Sequence, residues 1–159
     1  MNKILFFARE TGSANCILPV YKKIKSSTRY STNLSGKDFA LDVYRKEKLK
    51  HLDIGSIYHS FQFSSAVSFL AGGKYNLIVT GAAGSDLTER LLWQAAKKLD
   101  IKSVAILDYW TNYRMRFEGP DSKLILPDKI CVMDKIAKNE MLKAGFPAKR
   151  IVITGQPYF

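Results

Sequence analysis

The chain has 159 residues, 47% of them hydrophobic and 12% aromatic, which is long enough to bury a core and too apolar for a disordered chain. Its 25 Lys and Arg against 14 Asp and Glu leave a formal charge of +11, which excludes an acidic solvating segment and suits an anionic partner such as phosphate, anionic lipid headgroups or nucleic acid. Apolar runs such as Ile4–Ala8 are too short to span a bilayer or form a signal-peptide core, and Cys16 and Cys131 lack CxxC spacing, so they read as reduced, buried thiols of a cytoplasmic protein.

Strand-like and helix-like segments alternate along the chain. Lys3–Ala8 reads as a buried strand. Asn15 to about Lys25 reads as a helix, because Ile17, Val20, Tyr21 and Ile24 share a face; with Asn15 as N-cap, Pro19 falls at the end of the first turn. Tyr30–Leu34 is a weaker strand, Asp38 to about Lys50 a basic helix, and Ile54–Tyr58 a short strand. Ser64–Leu70 reads as a helix ended by Gly72-Gly73. Tyr75–Thr80 is a strand, and Ser85–Leu99 a helix with Asp86 and Glu89 in the spacing of a capping box. Lys102–Leu107 is the next strand. Lys129–Met133 is another, followed by a helix over Lys135–Ala144 that Gly145 closes, and Ile151–Thr154 is the last strand. Strands separated by helices of this length predict an α/β fold: a Rossmann-like parallel sheet with helices on both faces, formed by residues 1–159 as a single domain.

In such sheets ligands bind outside the carboxyl ends of the strands, which singles out four loops. Asp108–Phe117 places Asp108, Trp110, Asn112, Tyr113, Arg114 and Arg116 where a buried strand surfaces. Asp108 could orient a sugar hydroxyl or act as general base, Trp110 and Tyr113 offer flat faces to a sugar ring, and Arg114 or Arg116 could clamp phosphate. The competing role is structural, with Asp108 capping the next helix and the aromatics plugging the sheet edge. In Arg9–Asn15, Gly12, Ser13 and Asn15 could let backbone N–H groups approach an anion, and Glu10 is the second carboxylate that could act in catalysis; a tight turn and a surface acid are the alternatives. Gly81, Gly84 and Ser85 form a third small-residue loop, and Gly155-Gln156 a fourth. Neither GxGxxG nor GxxxxGK[ST] is present, His51 and His59 have no acidic partner in a motif, and no metal-ligand spacing occurs, so neither a metal nor a cofactor is expected.

The segment LPDKICVMDKIAKNEMLKAGFPAKRIVITGQPYF (126–159) resembles the end of the N-terminal domain of GT-B glycosyltransferases and of the related non-hydrolysing UDP-N-acetylglucosamine 2-epimerases. The resemblance rests on Asp128, Ile130, Val132 and Asp134, on Gly145-Phe146-Pro147, and on Arg150-Ile151 with Thr154-Gly155-Gln156-Pro157; Ile153 stands where the pattern has Val. LDYWTNYRMRF (107–117) and KILFFARETGSANCILPV (3–20) are similar to segments of polysaccharide-synthesis members. The resemblance implies one half of a GT-B architecture, the acceptor side, with the C-terminal donor-binding domain missing and supplied as a further domain or a partner subunit. It implies a nucleotide-diphosphate sugar as donor substrate, a cleft lined by Asp108–Phe117, and a half that does not turn over alone.

Residues 21–50 hold nine Lys and Arg against three Asp and Glu, which suits a sugar or lipid-phosphate acceptor at an anionic membrane surface and a peripheral place on its inner face. Half of a UDP-sugar 2-epimerase is one alternative, although the fourth strand is followed by Gly81-Ala82-Ala83-Gly84 with Asp86 displaced. A non-catalytic subunit that recruits a catalytic half to the membrane is another. A nucleic-acid role has only the basic surface in its favour, because no nucleic-acid motif accompanies it.

Overall fold

A computed structural model describes residues Met1–Phe159. The run Ile4-Leu5-Phe6-Phe7-Ala8 has no polar alternation because both of its faces are covered. Ile4, Phe6 and Ala8 enter one core and Leu5 and Phe7 the other. This strand, β1 (Asn2–Ala8), sits inside a seven-stranded, all-parallel sheet. The others are β2 (Tyr30–Gly36), β3 (Leu52–Asp53), β4 (Leu77–Thr80), β5 (Lys102–Ile106), β6 (Lys129–Val132) and β7 (Ile151–Ile153). Their order is β3-β2-β1-β4-β5-β6-β7, so the chain reverses direction across the sheet between β1 and β4. β1, β4, β5 and β6 are interior strands, as the continuous apolar runs predict.

Helices α1 (Thr11–Lys25) and α2 (Phe39–Lys46) cover one face through Ile17, Leu18, Tyr21, Leu41 and Tyr44. The other face is covered by α4 (Phe63–Gly73), α5 (Thr88–Lys98) and α7 (Lys135–Lys143), with Leu70, Leu92, Trp93, Ala137 and Met141 in its core. Two short helices, α3 (Ile54–Ile57) and α6 (Tyr113–Phe117), sit in crossings, and Trp93 stacks on Phe117 with ring centroids 5.2 Å apart. No helix is long and apolar enough to cross a membrane.

Four boundaries differ from the expectation. α1 begins at Thr11, four residues before Asn15, so Pro19 lies inside it. An interior proline costs about 3 kcal/mol, and the burial of Ala14, Cys16, Ile17, Leu18 and Tyr21 against the sheet outweighs it. Ile54–Tyr58 is not a strand. Asp53 Oδ1 accepts from the amides of Gly55 (2.8 Å) and Ser56 (3.3 Å), and this cap winds Ile54–Ile57 into a turn of helix. α4 runs through Gly72 and Gly73 to a left-handed Lys74; a Cβ at Gly73 would lie 2.0 Å from the Tyr75 ring, so that glycine serves close approach rather than termination. α5 begins at Thr88 and the Asp86–Glu89 capping box does not form. Asp86 Oδ1 accepts from Thr88 N at 2.9 Å, while Glu89 is buried. Gly145, at φ 90°, ends α7 as expected.

Candidate functional site

Because β1, β4 and β5 are neighbours, the segments leaving their carboxyl ends meet at the point where the sheet reverses. A Cβ on Gly12 would stand 2.3 Å from Asp108 Oδ2, and one on Gly81 would stand 2.4 Å from Ser13 Cβ. The three segments therefore touch only because two of their residues lack side chains. Arg116 closes the arrangement: its Nη1 donates to Asp108 Oδ1 at 2.7 Å and to the Ala82 carbonyl at 2.8 Å. Asp108 keeps Oδ2 without a protein donor, facing the first turn of α1. The first intrahelical bond of α1 is Ala14 N to Glu10 O, so the amides of Thr11, Gly12 and Ser13 have no helical partner. The Ser13 hydroxyl is buried there with no hydrogen-bond partner.

Each proposed residue has a definite place. Gln156 reaches back from beyond β7: Nε2 donates to the Asp108 carbonyl at 2.8 Å, and Cys16 Sγ donates to Oε1 at 2.9 Å. Burial, with Asp108 adding to it, pushes the Cys16 thiol up to about 12, so it stays a thiol. Glu10 is held by Arg9 at 2.5 Å and accepts from the Ser85 hydroxyl. Trp110 Nε1 donates to Asp134 Oδ2 at 2.9 Å, and Asp134 Oδ1 caps α7 through the Ala137 amide at 2.8 Å. Those bonds, the amide first and the indole second, hold the Asp134 carboxyl below the usual carboxylate range. Tyr113 is buried and donates to Glu140 Oε2 at 2.6 Å.

Several residues lie away from the crevice. Arg114 turns outward to Glu118 and to the Ala144 carbonyl, so of the two arginines Arg116 alone reaches Asp108. Asn112, at φ 58°, starts α6 with an exposed side chain, and Gly155, at φ 85°, has open space around it. Gly84 makes room for Met115, since a Cβ there would be 2.8 Å from Met115 Cε. Asn15 neither caps α1 nor faces the crevice; it lines a groove between α1 and α2 with Phe39 and Tyr158. Asp108 caps no helix.

A second cluster, unrecognised in the sequence, adjoins the first. Arg9 Nε lies 2.7 Å from Asp38 Oδ2 and 2.9 Å from Asp86 Oδ2, and Lys37 Nζ lies 2.9 Å from Asp86 Oδ2. Burial works against ionisation of Asp86, yet the Thr88 amide, Lys37 and Arg9 together hold its carboxyl below the usual range. Behind it, Glu89 has both carboxylate oxygens buried and unpartnered, and burial raises its carboxyl to about 8. The signal that could have found Lys37 and Asp38 is the strand-exit rule applied to β1, β4, β5 and β7, extended to β2. The basic stretch does not converge on the crevice: Lys22, Lys23 and Lys25 occupy the last turn of α1, and Lys37 alone of its nine cations lies at the carboxyl edge.

No protein-family model matches the chain, and no curated protein matches its sequence. Solved structures do match its fold. UDP-GlcNAc 2-epimerase from Neisseria meningitidis, bound to UDP-GlcNAc, aligns over 98% of this chain and 47% of its own, with TM-score 0.73 and 16% identity. The S. aureus MnaA–UDP structure aligns over 99% and 46%, with TM-score 0.72 and 14% identity. Acinetobacter baumannii MurG aligns over 98% and 45%, with TM-score 0.63 and 14% identity. The fold is one half of a GT-B architecture. This chain spans about half the length of the structures it matches, and its crevice lies at the switch point of that GT-B half.

Proposed function

We propose that the chain is the acceptor-binding half of a nucleotide-sugar-dependent glycosyltransferase of cell-surface polysaccharide synthesis, with Asp108 as general base. The observation that carries this reading is the Asp108 carboxylate at the switch point of a GT-B half. One oxygen is anchored by Arg116, and the other faces the free amides of α1 beside Gly12 and Gly81. An acceptor hydroxyl placed against Oδ2 would lose its proton to Asp108 as it attacks the donor sugar, and the helix N-terminus would favour a nearby phosphate. Arg116 then positions the base and does not clamp substrate. Glu10, already paired with Arg9, is the weaker candidate for the base. The donor is a nucleotide-diphosphate sugar held chiefly by a second domain or partner subunit, and the acceptor is a sugar or lipid phosphate.

The likeness to UDP-GlcNAc 2-epimerase structures favours a second reading, half of a UDP-sugar 2-epimerase. Inverting a carbon centre by proton removal and return uses a group on each side of that carbon. In this half Asp86 is occupied by Arg9 and Lys37, whereas Asp108 keeps one oxygen without a donor in the crevice.

The test is transfer of labelled sugar by this chain joined to a donor-binding half, with UDP-, GDP- and CDP-sugars supplied. Asp108→Asn is expected to lower kcat by roughly 10²–10⁴-fold with folding intact, while Glu10→Gln leaves most activity. An unchanged kcat in Asp108→Asn overturns the assignment of the base. Epimerised UDP-sugar without transfer would select the second reading.

A further inference from the structure

A groove of about 450 Å³, unused by the crevice chemistry, opens at the carboxyl ends of β2 and β3. Lys37 and Asp38 form one side, Asp53 the other, and Tyr58, His59 and Phe61 the rim. Asp38 adopts φ 52° and ψ −126°, a conformation that costs a residue with a side chain about 1–3 kcal/mol. An acid thus stands where glycine would fit more easily.

Most groups here are partly committed, and what is left over defines the ligand. Asp38 Oδ2 faces Arg9 and Asp53 Oδ1 caps α3, but Asp38 Oδ1 and Asp53 Oδ2 accept no hydrogen bond. Lys37 is engaged by Asp86. The Tyr58 hydroxyl and the exposed His59 ring have no partner either. Tyr58 and Phe61 meet edge to face, ring centroids 5.6 Å apart, and make a half-buried aromatic wall. Unspent carboxylate oxygens favour a ligand that donates hydrogen bonds over one that accepts them. With the one lysine already paired, a phosphate or sulfate would be repelled. No three His, Cys, Asp or Glu gather anywhere to hold a metal ion. Hydroxyl groups on the edge and C–H groups on the face are what two carboxylates beside an aromatic wall complement.

From this geometry we infer that the groove is a subsite for a neutral sugar ring, a unit of an oligosaccharide acceptor several sugars along the chain from the one in the crevice. The inference rests on the acceptor reading above. Asp108 leaves β5 and the groove lies at β3, four strands away in the sheet order, about 19 Å; Arg9 lies between them on the carboxyl edge, touching Asp38 and Asp86. A glycan can therefore follow the carboxyl edge of the sheet from Asp108 towards Tyr58.

Titration of the ¹⁵N-labelled chain with cellobiose and with chitobiose tests it. At least one disaccharide is expected to shift the amides of residues 37–41 and 53–61. Tyr58→Ala should weaken that binding roughly five- to ten-fold, as loss of an aromatic contact does, and Tyr58→Trp should restore it. Asp53→Asn keeps the cap on α3 and should also weaken binding. Absence of shifts there with both disaccharides, or wild-type affinity in a folded Tyr58→Ala, overturns the subsite. Shifts of the same amides with calcium chloride alone would mark a cation site instead and overturn it too. Failure of the crevice reading shows elsewhere, as unchanged kcat in Asp108→Asn, a substitution outside the groove.

Discussion

Arg116 Nη1 stands 2.7 Å from Asp108 Oδ1, and both side chains are nearly buried, at 13% and 12% exposure. The guanidinium also takes the Ala82 carbonyl, so one side chain ties the acid after β5 to the loop after β4. Arg116→Met removes the partner of a largely desolvated carboxylate. A fully buried pair broken in this way costs about 3–5 kcal/mol, and with some solvent at both groups roughly 2–3 kcal/mol is expected. Urea unfolding of wild type and variant measures it. A loss under about 0.5 kcal/mol would mean that Arg116 is an ordinary surface arginine.

Gly12 and Gly72 should respond in opposite senses to alanine. Both lie in helices, where Gly→Ala ordinarily stabilises by about 0.5–1 kcal/mol. Nothing lies within 4 Å of a Cβ at Gly72, so that variant should gain stability. At Gly12 the added methyl meets Asp108 Oδ2 at 2.3 Å and must push the carboxylate away from the helix terminus. Thermal melts should rise for Gly72→Ala and fall for Gly12→Ala. A Gly12→Ala variant as stable as Gly72→Ala would show that Asp108 is free to move.

How much of this was legible beforehand depended on the range of the forces involved. The interior strands announce themselves because Ile4–Ala8 or Lys129–Met133 must be apolar on both faces, and the fold class follows from their alternation with helices. The start of α1 is not legible locally, because Pro19 is a strong signal for a start at Asn15, whereas the burial that overrides it comes from β1 and α2, distant in sequence. At Ile54–Tyr58 the opposite holds, since a local cap from Asp53 outweighs β-propensity. The convergence of Gly12, Gly81 and Asp108 follows once strand order is known. The partners of Trp110, Tyr113 and Arg114 do not, because Asp134, Glu140 and Ala144 lie 24 to 30 residues away in sequence on α7 and its flanks.

Glu89 makes stability fall as pH rises. Its folded carboxyl is raised to about 8 from an ordinary 4.5. The folded state therefore holds a proton that the unfolded state releases above 4.5. The contribution is fully present below pH 4.5 and is lost progressively up to about pH 8. The slope from this one group is at most about 1.4 kcal/mol per pH unit. Glu89→Gln keeps the shape and abolishes the titration, so the difference in stability between variant and wild type should widen from pH 5 to pH 8, as the wild type weakens. Parallel pH profiles would place Glu89 in a more solvated setting.

Lys22 pairs with Glu47 at 2.6 Å and Arg45 with Asp42 at 2.9 Å, which leaves Lys23, Lys25, Arg29, Lys46, Lys48 and Lys50 without an acidic partner. Lys23 and Lys25 end α1, and α1 starts at the crevice and runs 15 residues, about 22 Å. A membrane held by this end would face the amino edge of the sheet, with the crevice turned towards water. Binding to anionic vesicles at low salt is expected, at about 1 kcal/mol per cation near the surface. The triple variant Lys23→Ala, Lys25→Ala, Arg29→Ala should then lose roughly a hundred-fold in affinity. A fluorophore at Ser26 should be quenched by lipid-borne quenchers, and one at Asn112 should not. Quenching at Asn112 instead would put the carboxyl edge of the sheet at the bilayer, the edge on which Asp108 also lies. Equal binding to neutral vesicles, or none at low salt, would leave these cations as a solvated face.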